Sequence, residues 1–241
     1  MPSPLPFAFP LDQPIILQKR AAILSALLVR DEGFCAIPVK SLRSSTLTVM
    51  LSLYDDMFLA GYLQKAYSQM EISCSSRLTS AAGKFIYSKD PAKRTQKAEI
   101  RMSSDFLFRL HQGPFELNGL CVSTPQEAFL IVFEHELCHA LETALYGSTG
   151  HSKRFLSLAC GLFGHTAIRH SLPTRKQEAA KEGFAVGSRA SFPFEGKILT
   201  GQITYVGKTA TVMVPSPAGT YRDRAGKRYA KYRVPLSQLQ A

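Results

Sequence analysis

Apolar residues recur at helical spacing over residues 48–67, TVMLSLYDDMFLAGYLQKAY, and predict an amphipathic helix. Three shorter segments follow in which apolar and polar residues alternate, as they do along strands. Strands are predicted over MEISCSSRL (70–78), AGKFIYS (82–88) and AEIRMS (98–103), with a turn over SKDPAKR (88–94). Together with a second helix further along the chain, these elements predict an α+β layer arrangement.

The second helix has recognisable start and stop signals. Thr124 is followed three residues later by Glu127, which is the spacing of a capping box, and Pro125 occupies the first helical position. Gly147 stands where the helix is expected to end. The predicted helix therefore contains the segment HELCH.

HELCH places His135 and His139 four residues apart on one helix. Residues at this spacing stand about 6 Å apart along the axis, so both imidazoles can point at one metal ion. Glu136 is turned away from direct ligation but can reach a metal-bound water as a general base. Two histidines hydrogen-bonded in a hydrophobic core are the alternative.

A catalytic zinc takes three protein ligands and leaves a fourth position open for water. Glu142 shares the helical face but lies about 10 Å along the axis from His135, too far for one ion, so it is expected to support the site or face solvent. His151 follows the helix in a loop that can fold back over the metal and is the favoured third ligand. His165 and His170 also lie downstream and remain alternatives.

The charge of the chain suggests its partners. There are 29 Lys and Arg against 18 Asp and Glu, and the net charge of +11 favours an anionic partner such as nucleic acid.

The five cysteines are scattered without a C-x-x-C pair, which argues against a disulfide framework or a zinc ribbon. The N-terminus lacks the pattern of a secretory signal, and Lys19 and Arg20 interrupt its apolar run. We therefore expect a cytoplasmic protein that does not bind membranes.

The composition and the predicted secondary structure of the chain change after about residue 182. The β-rich runs ILTGQITYV, TATVMV and YAKYRVP are punctuated by glycine and proline, and they predict a small SH3-like or KOW-type β-barrel of about 55 residues. From residue 183 onward there are nine Lys and Arg against two acids, which gives +7 of the total +11. The expected organisation is a lead-in over 1–45, a catalytic domain over 46–182 and a basic barrel over 183–241.

The run YRDRAGKRYAKYR interleaves cations with Tyr221, Tyr229 and Tyr232. Cations that meet phosphates and rings on which bases stack are what a binder of DNA or RNA without sequence preference needs. A solvated basic hairpin is the alternative. The residues predicted to bind nucleic acid are Arg222, Arg224, Lys227, Arg228, Lys231 and Arg233.

Residues from about 48 to 170 resemble the SprT-like zinc metallopeptidases, a family that includes the Spartan type of DNA–protein crosslink protease. Its pattern is an HExxH helix, a loop, and a glycine-histidine pair with a phenylalanine four residues on. Upstream, YDDMFLAGYL resembles the leading helix of the family, SSRLTSAAGKFIYS its strand pair, and AEIRMS the strand that enters the catalytic unit. The matching motif residues are His135, Glu136, His139, Gly150, His151 and Phe155.

The resemblance implies a zincin-like fold and a zinc-dependent endopeptidase acting on proteins bound to nucleic acid. It implies that His135, His139 and His151 hold Zn²⁺, and that Glu136 takes the proton of the water that the zinc makes acidic. AEIRMS is interpreted as an edge strand on which an extended polypeptide lies by β-augmentation. A nucleic-acid-binding protein with a structural or inactive zinc site is the alternative, and a metal-dependent hydrolase of another bond is a third hypothesis.

Overall fold

The structure is a computed structural model that describes residues 5–90, 95–168 and 172–240. His170 and part of the turn predicted over 88–94 lie outside these residues. The chain divides into two compact units, Met1–Leu172 and Pro173–Ala241.

The first unit mixes helices and strands, which confirms the predicted α+β class. Its helices are α1 (Gln13–Arg30), α2 (Glu32–Cys35), α3 (Ser44–Leu59), α4 (Tyr62–Ala66), α5 (Ser104–Leu107), α6 (Pro125–Tyr146) and α7 (Lys153–Phe163). Its strands are β1 (Gln69–Ser75), β2 (Gly83–Asp90), β3 (Thr95–Ser103), β4 (Phe115–Leu117) and β5 (Leu120–Val122).

Helix α6 runs through the core of the first unit. The Thr124 hydroxyl accepts the N–H of Glu127, whose carboxylate accepts the Thr124 N–H, so the predicted capping box is confirmed. Gly147 ends the helix in a left-handed conformation at φ 75°. Phe133 and Leu137 are fully buried between these ends, which fixes the helix in the core.

The helix predicted over residues 48–67 is two helices. Ala60 and Gly61, at φ 52° and 70°, separate α3 from α4. Both oxygens of the Asp55 carboxylate then accept backbone N–H groups at the start of α4, from Leu63 at 2.9 Å and Gln64 at 3.1 Å. The prediction of one continuous helix is therefore wrong, because Asp55 and Gly61 together build a turn.

Helix α1 lies within the segment expected to be a lead-in. Ile16, Ile23 and Leu27 are buried on one face, and Ile23 and Leu27 belong to the main core of the first unit. Burial of these side chains makes α1 part of the packed unit that contains α6.

The three predicted strands form one sheet in the order β1–β3–β2. Strand β3 pairs parallel with β1 and antiparallel with β2, so it is the central strand. The interpretation of AEIRMS as an edge strand is therefore wrong. Its alternate residues Ile100 and Met102 are fully buried, which suits a central position. Strand β2 is an edge strand of this sheet, and it packs against α6.

The second unit contains α8 (Arg175–Lys181), β6 (Arg189–Phe194), β7 (Lys197–Val206), β8 (Thr209–Pro215), β9 (Tyr221–Arg222), β10 (Arg228–Pro235) and a 3₁₀ helix (Leu236–Gln238). The strands form a five-stranded antiparallel sheet in the order β6–β7–β8–β10–β9. A bridge joins Ser191 of β6 to Gln240, but these pairings do not amount to a closed barrel. Helix α8 belongs to this unit, since Ala179 packs in its core with Phe184.

Within the described ranges, none of the helices combines the length and the hydrophobicity that a bilayer crossing demands.

Candidate metal centre

Helix α6 and the loop after it bring three histidines together. His135 and His139 project from one face of α6, and His151 returns to them from the loop that precedes α7. One ring nitrogen from each lies within 4.8 Å of the other two. Two nitrogens bound to the same zinc at about 2.1 Å each lie roughly 3.4 Å apart, so this donor set fits a zinc ion after small side-chain adjustments.

The ring nitrogens are disposed for ligation. The Nε2 atoms of His135 and His151 face each other at 3.0 Å. The Nδ1 atom of His139 lies 2.7 Å from the Thr149 hydroxyl, and a neutral ring that donates there presents its Nε2 lone pair to an ion. Burial and, after it, the neighbouring His151 lower the pKa of His139 to about 4. A neutral imidazole is the form that binds metal.

Phe155 forms a floor under the three imidazoles. Its ring centroid lies 5.0 Å from that of His135, 4.5 Å from His139 and 5.2 Å from His151, and the side chain is fully buried. The motif residue Phe155 is therefore a core residue that also contacts each of the three clustered histidines. Cys138, which lies between the two helical histidines in the sequence, is also buried in the core.

Glu136 lies between α6 and the edge strand β2. Only 7% of the residue is exposed, and burial raises the pKa of its carboxyl to about 7, against the opposing effect of a hydrogen bond from the backbone N–H of Phe85. A Cβ added at Gly83 would approach Glu136 Cγ to 2.7 Å, so the absence of a side chain there gives the carboxylate its room. A carboxylate held in this way is suited to general-base chemistry.

Glu142 anchors the loop that carries His151. It accepts the backbone N–H of Gly150 at 3.0 Å, the Ser152 hydroxyl at 3.3 Å and Arg154 Nε at 3.0 Å. Burial alone raises its pKa, but hydrogen bonds from Arg154, Gly150 and Thr149 and the Arg154 charge hold it below the ordinary value. Glu142 is therefore a support of the site, one of the two roles expected for it. Ser152 also caps α7 by accepting the N–H of Phe155.

A buried ionic network underlies the helix beside His135. Glu134 accepts Arg20 Nε at 2.7 Å and Nη2 at 2.8 Å, the Tyr54 hydroxyl at 2.8 Å and His165 Nε2 at 2.9 Å. Burial raises the pKa of a carboxyl, but Arg20 and His165 keep that of Glu134 below its ordinary value. Our sequence reasoning missed this network, although a cation inside the apolar run of α1 was its one local signal.

This network also engages His165, one of the alternative third ligands. His165 is fully buried and lies outside the histidine cluster, since its Nε2 is bonded to Glu134. Its Nδ1 lies 3.4 Å from Nδ2 of Asn118, at the β4–β5 turn. Within the part of the chain that the structure describes, Oδ1 of Asn118 is buried without a partner.

The histidines and Glu136 open onto a cleft of about 530 Å³. One wall comes from β2, and another from α6 and the loop that follows it. The cleft is thus bounded by an edge strand on one side and the candidate metal ligands on the other. Its lining includes Ala81, Gly83, Lys84, Phe85, Asn118, Val132, Thr149 and Ile168.

The six cations predicted to bind nucleic acid divide between two faces and a loop of the second unit. Lys231 and Arg233 lie on the outer face of β10, because the intervening Tyr232 and Val234 turn toward the core. Sequence reasoning treated the six as one set, but strand alternation separates them. The others lie on the opposite face (Arg222 and Arg228) or in the β9–β10 connection (Arg224 and Lys227).

The three tyrosines in the same run also differ. Tyr232 packs against Phe192 and Phe194, with ring centroids 5.4 and 5.0 Å away, so the prediction that it stacks on bases is wrong. Tyr229 donates its hydroxyl to Asp223 at 3.0 Å. Tyr221 is 47% exposed.

Comparison with models of protein families gives a match over the first unit. Residues 47–169 match the model of the SprT-like family, a stretch that covers half of the chain and contains all three histidines and Glu136. Searches of curated proteins and of solved structures found no match.

Proposed function

Because this chain belongs to the SprT-like family, we propose that it is a zinc-dependent endopeptidase that acts on proteins bound to nucleic acid. The family is associated with zinc metallopeptidases, which agrees with the donor set in the first unit. The observation that carries the proposal is the meeting of three imidazole nitrogens beside a buried carboxylate at the wall of a cleft.

The proposed chemistry assigns a role to each residue of the centre. His135, His139 and His151 hold the zinc ion, which when bound polarises the scissile carbonyl and lowers the pKa of a water molecule. Glu136 takes a proton from the attacking water and delivers it to the leaving amine. The N–H of Phe85 holds the carboxylate in place during both transfers.

We assign substrate binding to the edge strand β2. It lines the cleft through Gly83, Lys84 and Phe85, and it pairs with β3 on its other side. An extended polypeptide added to this edge would be held mainly by backbone hydrogen bonds, so cleavage would show little side-chain specificity. This role replaces the one predicted for AEIRMS.

The nucleic-acid half of the proposal comes from the second unit. Its nine Lys and Arg against two acids from residue 183 onward favour a polyanionic partner. The bridge between Ser191 and Gln240 brings the first strand of the sheet to the end of the chain, which supports an SH3-like barrel. Small barrels of this kind serve many functions, so charge is the argument for DNA or RNA.

Cleavage of a basic, unstructured test protein by the zinc-loaded chain tests the proposal. The comparison uses wild type, Glu136→Gln, and Glu182→Gln as a matched change at an exposed glutamate. We expect wild type and Glu182→Gln to cleave, and Glu136→Gln to lose at least 100-fold in rate while binding zinc normally. Chelation should abolish cleavage, and added zinc should restore it. Added DNA should accelerate cleavage. A cleavage rate that does not respond to DNA would refute the recruitment half of the proposal, namely that the chain acts on proteins bound to nucleic acid.

A second candidate is a nucleic-acid-binding protein whose zinc site is structural. The basic second unit lies outside the residues that match the family, so it could function without catalysis. In that case none of the three proteins cleaves under any condition, all bind zinc and DNA, and His135→Ala unfolds the first unit. A metal-dependent hydrolase of another bond would instead cut nucleic acid in a Glu136-dependent way.

A further inference from the structure

The outer face of the sheet in the second unit carries a groove of about 550 Å³. Strand alternation sends Ile203, Val212 and Val214 into the core and leaves the intervening residues on the opposite face. The groove contains two tyrosines, two cations and no acid. Its lining residues, which we call the tyrosine face, are Thr204, Tyr205, Thr211, Met213, Tyr221, Lys231 and Arg233.

A β-bulge places Tyr205 on this face. Ile203 pairs with Val212, but the register then shifts so that Tyr205, and not Thr204, lies opposite Thr211. Without the bulge, Tyr205 would pair with Ala210 and point into the core. Bulges commonly re-aim a side chain in this way. The result is a ring that is 57% exposed on the outer face.

Both rings are held in position. Gly207 lies under Tyr205, since a Cβ added there would approach the Tyr205 hydroxyl to 2.8 Å. Tyr221 is fixed in register opposite Tyr229, and Lys231 Nζ lies 5.5 Å from the centre of the Tyr221 ring. Exposed rings that are already oriented lose little conformational freedom when a planar ligand stacks on them.

The cations are arranged across the strands in register with the rings. Arg233 of β10 lies opposite Thr211 of β8, which lies opposite Tyr205 of β7. These three residues form one row across the strands, with a guanidinium at one end and an aromatic ring at the other. Lys231 lies opposite Met213 in the next outward row, about 7 Å further along the strands. Positive charge and aromatic surface therefore alternate over the same groove.

These features distinguish between partners. An acidic peptide would need the cations but not two exposed, oriented rings. The bases of a duplex are stacked on one another and cannot lie flat on rings at the protein surface. Unpaired bases stack on such rings while the phosphates meet Lys and Arg.

We propose that the tyrosine face binds single-stranded nucleic acid without sequence preference, by stacking bases on Tyr205 and Tyr221 and pairing phosphates with Lys231 and Arg233. The proposal deepens the recruitment half of the proposed function, and it lies outside the residues that match the SprT-like family. It separates Lys231 and Arg233 from the other cations of the basic run.

Fluorescence anisotropy of the full-length chain with a labelled 20-nucleotide oligo-dT tests this proposal. The same measurement with oligo-rU and with a duplex of equal length separates RNA, DNA and paired strands. We expect Tyr205→Ala and Tyr221→Ala each to weaken binding of the single strands about 5- to 100-fold, with little effect on the duplex. Tyr205→Phe keeps the ring and should bind within twofold of wild type. Arg233→Gln should reduce the slope of a plot of log Kd against the logarithm of salt concentration by about one.

Tyr146 provides a matched control in the first unit. It is 45% exposed and has Arg154 over its ring at 4.2 Å, so it repeats the exposure and the cation contact of Tyr221. Tyr146→Ala should bind oligo-dT like wild type, and Arg228→Gln should weaken it less than Arg233→Gln. Thermal unfolding of each variant checks that the second unit is intact.

Three results would overturn the proposal. These are wild-type affinity in both tyrosine-to-alanine variants, a duplex bound as tightly as the single strands, and displacement of oligo-dT by polyglutamate at equal charge concentration. Because the assay measures binding alone, it remains decisive if the chain cleaves no protein. Loss of stacking also leaves cleavage without DNA untouched, so the two failures are distinguishable.

Discussion

Gly83→Ala is the sharpest test of the proposed catalytic arrangement. The new Cβ would stand 2.7 Å from Glu136 Cγ and 3.0 Å from its Oε1, whereas ordinary contact begins at 3.4 Å. Either β2 or the Glu136 side chain must therefore move by about 0.7 Å. Because Cγ lies in the middle of the side chain, rotation of the carboxylate alone does not relieve the overlap.

The displacement predicts a loss of rate at constant metal content. A misplacement of about 1 Å costs roughly 100-fold, so we expect kcat to fall about 10- to 100-fold, or about 1.4–2.7 kcal/mol in barrier height. Zinc affinity should not change, since Gly83 is not one of the clustered histidines and lies on a different element. The loss should therefore appear in the proton-transfer step.

The assay is single-turnover cleavage of the unstructured test protein, with zinc content measured by chelator competition. Gly150→Ala is the matched control, because a Cβ there meets nothing within 4 Å although the residue adjoins His151. We expect Gly150→Ala to cleave within about threefold of wild type. Thermal unfolding of both variants completes the comparison.

Two outcomes would refute the reasoning. Wild-type cleavage by Gly83→Ala would show that the placement of Glu136 does not depend on β2. Loss of zinc in proportion to lost rate would show that the change damages the histidine cluster, and not the carboxylate.

Three further changes test residues that support the site or stabilise the first unit. Glu142→Ala frees the His151 loop, and chelator competition should show zinc affinity at least tenfold lower; unchanged affinity would contradict the anchoring role. Glu134→Gln leaves Arg20 buried beside a neutral amide and should lower the free energy of unfolding in urea by about 3–5 kcal/mol. Burial raises the pKa of Asp31, but hydrogen bonds to its carboxylate lower it overall, so its contribution to stability is complete above about pH 4 and is lost as pH falls through the folded pKa. Thermal midpoints of wild type and Asp31→Asn should therefore differ at pH 7 and converge as the pH falls below the folded pKa; equal midpoints at pH 7 would count against this.

Local signals in the sequence predicted helix α6 well. Thr124, Glu127 and Gly147 act through hydrogen bonds within a few residues, so their spacing marks the ends of α6 without knowledge of the fold. The same holds for the spacing of His135 and His139, which depends only on helix geometry. These features survive folding because no distant contact is needed to create them.

Features that depend on distant contacts were not predictable in the same way. The parallel pairing of β1 with β3 places β3 in the centre of the sheet, and alternation along a strand does not reveal its neighbours. The position of His151 in a loop after the helix favoured it as third ligand, but nothing local excluded His165, whose partner is a carboxylate 31 residues earlier in the chain. The bulge at Thr204 likewise depends on β8 and leaves no mark in the pattern of β7.

The ion pair between Arg20 and Glu134 has a consequence for how the protein is made. The two residues are 114 positions apart, so Arg20 leaves the ribosome long before its partner and stays hydrated until α6 has been synthesised. The same carboxylate also binds Tyr54 and His165, so its full set of partners exists only after residue 165 has emerged. Assembly of the cleft is therefore a late event in biosynthesis, and the shorter nascent chains cannot contain a finished histidine centre.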